Sequence, residues 1–253
     1  MIENPMILFP LLILFLPLIS FIIVIFFGKK LPRQGDWVAV GSIVTTFLLA
    51  CYLFLQMLLN YDPGFSHGAS FSWINLGEFK IDLGILVDNL TIVMLLIVTL
   101  VSSCTHIFSI AYMKGDIRYN RYFAYLGLFT FSMNGIVLAD NLISMYMSWE
   151  LVGVSSYLLI GHWFEKDSAS NASKKAFLTN RVGDIGFFIG IMLLYSAVGA
   201  FAFSPIFESI AGGQAIAGTT LTIAGLGIFM GAVGKSSQFP LHIWLPDAME
   251  GPT

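Results

Sequence analysis

The stretch SMYMSWELVGVSSYLLIGHWF, residues 144–164, is apolar along nearly its whole length and carries one acid near its middle, Glu150. A helix of about 20 predominantly apolar residues is long enough to cross a bilayer. A charge in the middle of such a helix costs at least about 2.5–3.5 kcal/mol, so it usually faces a protein interior and marks a functional path. The stretch therefore predicts a membrane-spanning helix with a functional acid.

The composition of the whole chain is that of a membrane protein. Of its 253 residues, 57% are hydrophobic and 11% are charged, against about 45–50% and 25% in soluble domains. Short strands of alternating polarity, the signature of a transmembrane barrel, are not found. We predict an all-α polytopic membrane protein with about seven transmembrane helices, at residues 6–27, 37–59, 90–112, 122–138, 142–163, 176–198 and 219–234.

The basic residues predict the orientation, because Lys and Arg accumulate in short cytoplasmic loops. The loops after the first, third and fifth helices hold nine of them, whereas the alternate loops hold only Lys80. This bias places the N-terminus outside and makes the seventh helix run inward. The nine residues are Lys29, Lys30, Arg33, Lys114, Arg118, Arg121, Lys166, Lys174 and Lys175.

Two longer loops lie on the predicted outer side. Residues 60–83 alternate turn residues with short apolar pieces, a pattern typical of an external hairpin that covers the membrane face. Residues 200–218 are rich in Gly and Ala and predict a second external loop. Neither loop resembles a soluble domain, so we expect one membrane domain.

Glu150 is predicted to lie close to the midplane of the membrane. If Asp140 is the N-cap of the fifth helix, Glu150 follows ten residues later, which is about 15 Å along a helix axis. Arg181 and Asp184 are three residues apart on the sixth helix, and this spacing puts them on one helix face as an ion pair. Such a pair can serve structure as well as function.

Lys235 follows a short apolar run with four glycines and precedes a segment with two serines and two prolines. A hydrophobic segment interrupted by Gly and Pro is typical of a discontinuous membrane helix with a site at the break. The seventh helix is therefore predicted to be discontinuous. Lysine suits such a site because its amine can gain or lose a proton when its surroundings change. A lysine at a helix end can instead extend to the membrane surface, but the apolar residues that follow favour a buried position.

Two hypotheses explain these charges. A proton or cation conductor would use a buried acid and base, whereas a non-transporting scaffold would use charges to hold its helices together. A scaffold needs each charge neutralised locally, and Glu150 and Lys235 have no partner near them in sequence. This favours the conductor. His106, His162 and His242 are weaker candidates, because packed histidines with satisfied hydrogen bonds would explain them equally well.

Several longer segments carry a resemblance to a known family. The segments MSWELVGVSSYLLIGHW (147–163), NRVGDIGFFIG (180–190) and GKSSQFPLHIWLPDAMEGPT (234–253) closely resemble the antiporter-like membrane subunits of proton-pumping NADH:quinone oxidoreductase, respiratory complex I. Residues 87–113 and 121–141 resemble them too. Among these subunits the chain is most similar to the distal type, called subunit L or subunit 5.

The resemblance implies roles for individual residues. Glu150 matches the family acid that communicates charge between neighbouring subunits or half-channels, and Lys235 matches the central proton-carrying lysine. Arg181 and Asp184 match the ion pair of the sixth helix, while His242 is a further, weaker candidate for proton transfer. An approaching or receding carboxylate would then load or expel the proton of Lys235.

The resemblance also implies an enzyme context. The chain would be a non-redox subunit of a translocase, with no cofactor or metal of its own, and FMN, iron-sulfur clusters and quinone are expected in partner subunits. Expected partners are the other membrane-arm subunits, above all the neighbouring antiporter-like subunit, together with lipid and protons but no nucleic acid. The expected location is the bacterial inner membrane, with the N-terminus on the periplasmic side.

The chain departs from the family in length. Family members are much longer and contain two inverted repeats, so this chain is expected to be an N-terminal portion. Residues 1–118 would hold the first three helices with the external loop 60–83, and residues 119–253 the first antiporter-like repeat, cut before its eighth helix. Multisubunit sodium/proton antiporters and membrane-bound hydrogenases use similar subunits and remain alternatives.

Overall fold

The computed structural model describes residues 5–77, 79–213 and 217–253. Within them the chain is helical apart from turns, short 3₁₀ segments and one hairpin of two strands, β1 (Ser66–Leu76) and β2 (Phe79–Asp88). The predicted all-α fold is confirmed, and each predicted span coincides with a helix. The helices are α1 (Pro5–Phe27), α2 (Asp36–Leu59), α3 (Asn89–Tyr112), α4 (Tyr119–Leu138), α5 (Leu142–Ile160), α6 (Asp167–Val198), α7 (Phe203–Ala211) and α8 (Gly218–Lys235).

Five helices in the described part of the chain, α1, α2, α3, α5 and α6, are long and apolar enough to cross a membrane. The other two predicted spans, α4 and α8, are helices of 20 and 18 residues. These two helices are less apolar, because α4 contains several polar side chains and α8 is rich in Gly and Thr. The crossing of the membrane by α4 and α8 therefore stays a prediction.

Some details of the helices differ from the predictions. Helix α6 begins at Asp167 rather than at residue 176, because its first turns are charged and small residues that continue the helix beyond the apolar run. Helix α5 ends at Ile160 rather than at residue 163. The predicted loop 200–218 contains α7, a nine-residue helix that a search for long apolar runs does not detect. Residues 78 and 214–216 of the two predicted loops lie outside the described residues.

One compact unit contains residues 5–70 and 84–139, and therefore α1 to α4. Its core includes Ile13, Leu53 and Leu95, all fully buried. Helix α4 belongs to this first unit, and the division into repeats after residue 118 stays a prediction.

A proline in α1 explains one polar contact in this core. Pro17 lies inside α1 and has no N–H, so the carbonyl of Ile13, four residues earlier, lacks its helical donor. The side-chain amide of Asn134 on α4 donates to that carbonyl at 3.1 Å. In a membrane helix such a freed carbonyl needs a partner from a neighbouring helix or from water, and Asn134 is that partner.

The predicted hairpin at residues 60–83 is confirmed, although its second strand continues to Asp88. The side chain of Asp88 caps α3 by accepting a hydrogen bond from the N–H of Thr91 at 2.7 Å. The predicted N-cap of α5 is wrong. Asn141, not Asp140, caps α5 by accepting from the N–H of Ser144 at 2.8 Å.

The other compact unit contains residues 71–83 and 140–253, and therefore α5 to α8. Its central feature is the close packing of α6 against α8 through glycines. A Cβ atom on Gly190 would lie 2.6 Å from the carbonyl oxygen of Ala224, and one on Gly227 would lie 2.9 Å from that of Gly186. These backbones approach so closely that neither glycine has room for a side chain. The glycines of α8 thus bring it against α6, and the helix runs unbroken to Lys235.

The predicted interruption at Lys235 is confirmed. Helix α8 ends there, and the chain continues through turns to a short 3₁₀ helix, Asp247–Glu250. Two contacts hold this last segment to α6: Lys175 donates to Asp247 at 2.6 Å, and the hydroxyl of Ser168 donates to Glu250 at 3.0 Å. The chain after Lys235 is therefore attached to the N-terminal part of α6, whereas the glycine contacts with α8 lie further along that helix.

Candidate functional site

The four intramembrane charges predicted from the sequence all come together in the second unit. Helix α5 supplies Glu150, α6 supplies Arg181 and Asp184, and α8 supplies Lys235. Glu150 is the ninth of the 19 residues of α5, so its predicted position near the middle of a span is confirmed along the helix. The close approach of α6 and α8 is what brings Lys235 to this cluster.

Glu150 and Arg181 form a direct ion pair. One guanidinium nitrogen of Arg181 contacts Oε2 of Glu150. The guanidinium also lies over the ring of Phe177, with its carbon 4.6 Å from the ring centroid, a favourable cation–π position. The second carboxylate oxygen of Glu150, Oε1, is buried and has no hydrogen-bond partner among the described residues.

Asp184 is the most deeply buried of the four charges, with its side chain only 1% exposed. The indole N–H of Trp149 donates to its Oδ1 at 2.8 Å. Its Oδ2 lies 3.7 Å from Nζ of Lys235 and 3.9 Å from Nη1 of Arg181. Asp184 thus has one oxygen held by a neutral donor and the other between two cations.

Lys235 is the last residue of α8, where the helix dipole favours a cation. Its side chain is 14% exposed, and Nζ is buried without a hydrogen-bond partner in the described part of the chain. The expectation that Glu150 and Lys235 stand unpaired is wrong, because each has an oppositely charged partner on α6. The predicted Arg181–Asp184 pair is present only as the longer, 3.9 Å contact.

The cluster is electrically balanced but incompletely hydrogen-bonded. Two acids face two bases, so no net charge is buried, and this makes the cluster tolerable in a low-dielectric setting. The Glu150 oxygen and the Lys235 amine without hydrogen bonds are an acceptor and a donor that a second arrangement could satisfy. Arg181 is close to both acids and Asp184 is close to both bases.

The three candidate histidines take no part in the ion pairs of this cluster. His242 follows α8, has an exposed side chain, and stacks on Phe239 with ring centroids 5.8 Å apart. Its predicted role in proton transfer stays a prediction. His106 and His162 are buried, and His106 belongs to the first unit. Within the described residues, no group of His, Cys, Asp and Glu is placed to hold a metal ion.

Sequence reasoning missed two residues of the site. Trp149 holds Asp184, yet a tryptophan next to an acid in an apolar run carries no signal of that contact. Gly153 lies directly against the amine of Lys235, but in sequence it resembles every other helix glycine. Only the packing of α5 against α6 and α8 reveals either role.

Long apolar helices around a balanced cluster of acids and bases define a polytopic helical membrane protein with charges inside its helix bundle. Residues 139–253 match the family model described as the membrane domain of NADH:quinone oxidoreductase and Mrp antiporters. Residues 73–123 match the model for the N-terminus of chain 5 of complex I. The chain therefore belongs to the complex I subunit 5 and subunit L type of antiporter-like membrane proteins.

Curated relatives agree with this assignment. The chain is 42% identical over 253 residues to chloroplastic NAD(P)H-quinone oxidoreductase subunit 5 of Marchantia polymorpha, with 94% of this chain and 36% of the relative covered. It is 44% identical over 263 residues to F(420)H(2) dehydrogenase subunit L of Methanosarcina mazei, with 97% and 38% covered. It is 46% identical over 191 residues to NAD(P)H-quinone oxidoreductase chain 5 of Synechocystis sp., with 74% of this chain and 28% of the relative covered. The chain thus spans between 28% and 38% of the length of these relatives.

Solved structures show the same fold at lower identity. The Mrp complex from Dietzia sp. superposes with a TM-score of 0.80 at 23% identity, covering 96% of this chain and 25% of that chain. An archaeal membrane-bound sulfane sulfur reductase superposes with a TM-score of 0.79 at 20% identity, covering 96% and 48%. The antiporter-like membrane fold is therefore confirmed.

Proposed function

We propose that this chain is part of a membrane subunit of a proton-translocating NADH:quinone oxidoreductase, and that the cluster of Glu150, Arg181, Asp184 and Lys235 carries part of its proton path. The single observation that supports this most strongly is the position of Asp184 close to two bases. Asp184 lies 3.7 Å from one base and 3.9 Å from the other, while Arg181 already contacts Glu150.

The geometry supports two arrangements of the four charges. In the observed one, Glu150 pairs with Arg181 and Asp184 stabilises the ammonium of Lys235. In the other, Arg181 turns toward Asp184 on its own helix and leaves Glu150. Asp184 is then neutralised by Arg181 and stabilises the Lys235 ammonium less.

The proton step follows from this exchange. An N–H bond of the Lys235 ammonium breaks, the electron pair stays on nitrogen, and the proton passes to a hydrated polar path. Return of Arg181 to Glu150 restores the carboxylate that stabilises a new ammonium, and Lys235 takes up a proton from the other side. Trp149 holds Oδ1 of Asp184 throughout, so that the same oxygen, Oδ2, faces both bases.

The scaffold hypothesis needs each charge to have a neighbour of opposite sign, and this condition is met. A purely structural cluster would also satisfy its hydrogen bonds, since an unsatisfied buried polar group costs about 1–3 kcal/mol. The buried Oε1 of Glu150 and Nζ of Lys235 have no hydrogen-bond partner among the described residues. Buried atoms without a hydrogen-bond partner also occur in the described part of the first unit, at Asp36, His106 and Asn134, so they do not decide between the two hypotheses. The position of Asp184 within 4 Å of two bases supports a cluster that rearranges.

The wider assembly is part of the proposal. FMN, iron-sulfur clusters and quinone would be held by partner subunits, and the chain would contact other membrane-arm subunits, including a neighbouring antiporter-like subunit. The basic loops support an orientation with the N-terminus outside, which in a bacterial inner membrane is the periplasmic side. The named relatives include chloroplast proteins, and the bacterial inner membrane is the membrane that we propose for this chain.

A second candidate function is a subunit of a multisubunit sodium/proton antiporter. The family model that matches residues 139–253 is described for Mrp antiporters as well as for the oxidoreductase. The two functions differ in what drives transport. Quinone reduction drives it in the first case, and an existing ion gradient in the second.

The test uses Lys235→Ala and Glu150→Gln in the intact membrane complex, reconstituted in vesicles. We expect both variants to reduce the number of protons moved per electron passed to quinone. Wild-type stoichiometry in both variants would contradict the proposed role of the cluster. Proton movement driven by an imposed sodium gradient, without electron transfer, would support the antiporter instead.

A further inference from the structure

The amine of Lys235 occupies a notch in α5 at Gly153. A Cβ atom built on Gly153 would lie 2.6 Å from Nζ of Lys235, well inside an ordinary contact distance of about 3.5–4 Å. Apart from the backbone of α5 itself and the two residues next to Gly153, Nζ is the only heavy atom of the described residues within 4 Å of that position. The side chain missing from residue 153 is therefore replaced by the charged end of Lys235.

The backbone at residue 153 gives no other reason for glycine. Gly153 lies within the regular part of α5 and is buried, and it is not among the glycines with a left-handed backbone. Glycine in the middle of a helix is less favourable than alanine by about 0.5–1 kcal/mol. The space taken by Lys235 accounts for the choice of glycine.

The notch fixes where the proton-carrying amine lies. Gly153 follows Glu150 by three residues, so both face the same side of α5. On its other side, Nζ lies 3.7 Å from Oδ2 of Asp184. The amine thus lies between the face of α5 that carries Glu150 and the carboxylate of Asp184 on α6.

We infer that Gly153 is a positioning residue for proton translocation, because its missing side chain lets the Lys235 amine lie between α5 and Asp184. This inference rests on the proposed function of Lys235. Gly153 has no part in proton transfer itself and acts only through the position of the amine.

Alanine at residue 153 is a selective test, because the atom that must move is the end of a flexible side chain. The fold can therefore persist while the amine is displaced by about 1 Å, the shortfall from van der Waals contact. Gly190 differs, since a Cβ there would meet the backbone of α8 at 2.6 and 2.7 Å. Gly225 on α8, with no atom within 4 Å of its Cβ position, is the matched control.

The first measurement compares Gly153→Ala and Gly225→Ala in the intact membrane complex, reconstituted in vesicles. We expect both to assemble, and Gly225→Ala to translocate protons as the wild type does. Gly153→Ala should lower proton translocation toward the level of Lys235→Ala and displace its pH optimum, because misplacement of a reacting group by about 1 Å can cost up to about 100-fold in rate. Wild-type pumping with an unchanged pH profile in Gly153→Ala would overturn the inference.

A double-mutant cycle separates this inference from the proposed function. Gly153→Ala should lower the thermal midpoint of the purified complex in the wild-type background but not in the Lys235→Ala background, where the methyl group has room. Equal effects in both backgrounds, or failure of Gly153→Ala to assemble in both, would overturn the inference. If Lys235→Ala pumps normally while the cycle shows coupling, the contact is real and the proposed function is wrong.

Discussion

The two compact units differ in the polar groups that they bury. Both contain hydroxyls that bond back to their own helix: Thr99 donates to the carbonyl of Leu95 at 2.7 Å in the first unit, and Ser155 donates to that of Val152 at 3.0 Å in the second. Among the described residues of the first unit, the buried acid is Asp36, at the start of α2 beside Arg33. The second unit instead brings four charges from three helices together.

This difference shows what each kind of polar group does in a membrane. A hydroxyl that bonds back to its own helix needs no neighbour and can stay in one position. A buried charge depends on a partner from another helix, and removing one partner exposes the other to the full cost of burial. The polar groups of the first unit therefore serve packing, whereas the second unit holds charges that depend on partners from other helices.

The largest effect is expected for Asp184→Asn, which removes the acid shared by both bases. Lys235 then loses its only carboxylate partner among the described ion pairs, while Arg181 keeps Glu150. Breaking a buried pair in this way costs about 3–5 kcal/mol. We expect a lower thermal midpoint and a loss of proton translocation.

The control for this change is Glu208→Gln, at an exposed acid of α7, which should behave as the wild type. A stable, fully pumping Asp184→Asn variant would show that the second unit does not depend on its charges. The contrast between the two units would then have no functional meaning.

A smaller effect is expected for Trp149→Phe. The ring can still pack against Phe187, whose centroid lies 5.4 Å away, but the hydrogen bond to Asp184 is lost. A hydrogen bond to a charged group contributes about 1.5–3 kcal/mol. We expect moderate destabilisation and a shifted pH dependence of pumping, measured beside Trp37→Phe at an exposed position of α2. If the two variants have the same pH profile, Trp149 does not position Asp184.

Gly190→Ala should affect assembly rather than proton transfer. Its methyl group would meet the backbone of α8 at 2.6 Å from Ala224, and overpacking of this kind costs about 1–3 kcal/mol. The amount of assembled complex, measured in membranes, should fall. Proton translocation per assembled complex should stay as in the wild type, because Lys235 and Asp184 are unchanged. Full assembly of Gly190→Ala would show that the close contact of α6 and α8 is dispensable.

The smallest effect is expected in the first unit, for Asn134→Leu. The variant loses the hydrogen bond to the carbonyl of Ile13, a neutral interaction worth about 1 kcal/mol. Thermal stability should fall slightly and proton translocation should stay unchanged. Adding Pro17→Ala should restore stability, because an alanine N–H at residue 17 can again reach that carbonyl. A pumping defect in Asn134→Leu would show that the first unit does more than pack.

Much of the site could be predicted from the sequence. The free energy of placing a charge inside an apolar helix, and the position of that charge along the helix, depend on the local sequence. The apolar run around Glu150 and the Gly-rich run before Lys235 are local patterns. Glu150 lies near the middle of α5 and Lys235 at the end of α8, as these patterns predict. The pairing could not be predicted. Spacing on α6 suggested that Arg181 and Asp184 pair with each other, whereas the structure shows their closer partners on other helices.

Hydropathy and spacing thus determined that the protein is helical and membrane-spanning, that its α8 helix ends at Lys235, and that Glu150 lies near the middle of a helix. Tertiary structure alone decided which acid meets which base, that Trp149 holds Asp184, and that Gly153 makes room for the amine. The physical reason is that the hydropathy of a segment, which determines whether it can cross a membrane, depends only on the residues of that segment. An ion pair between helices depends on how closely and at what rotation those helices pack, and here the glycines of α6 and α8 set that distance.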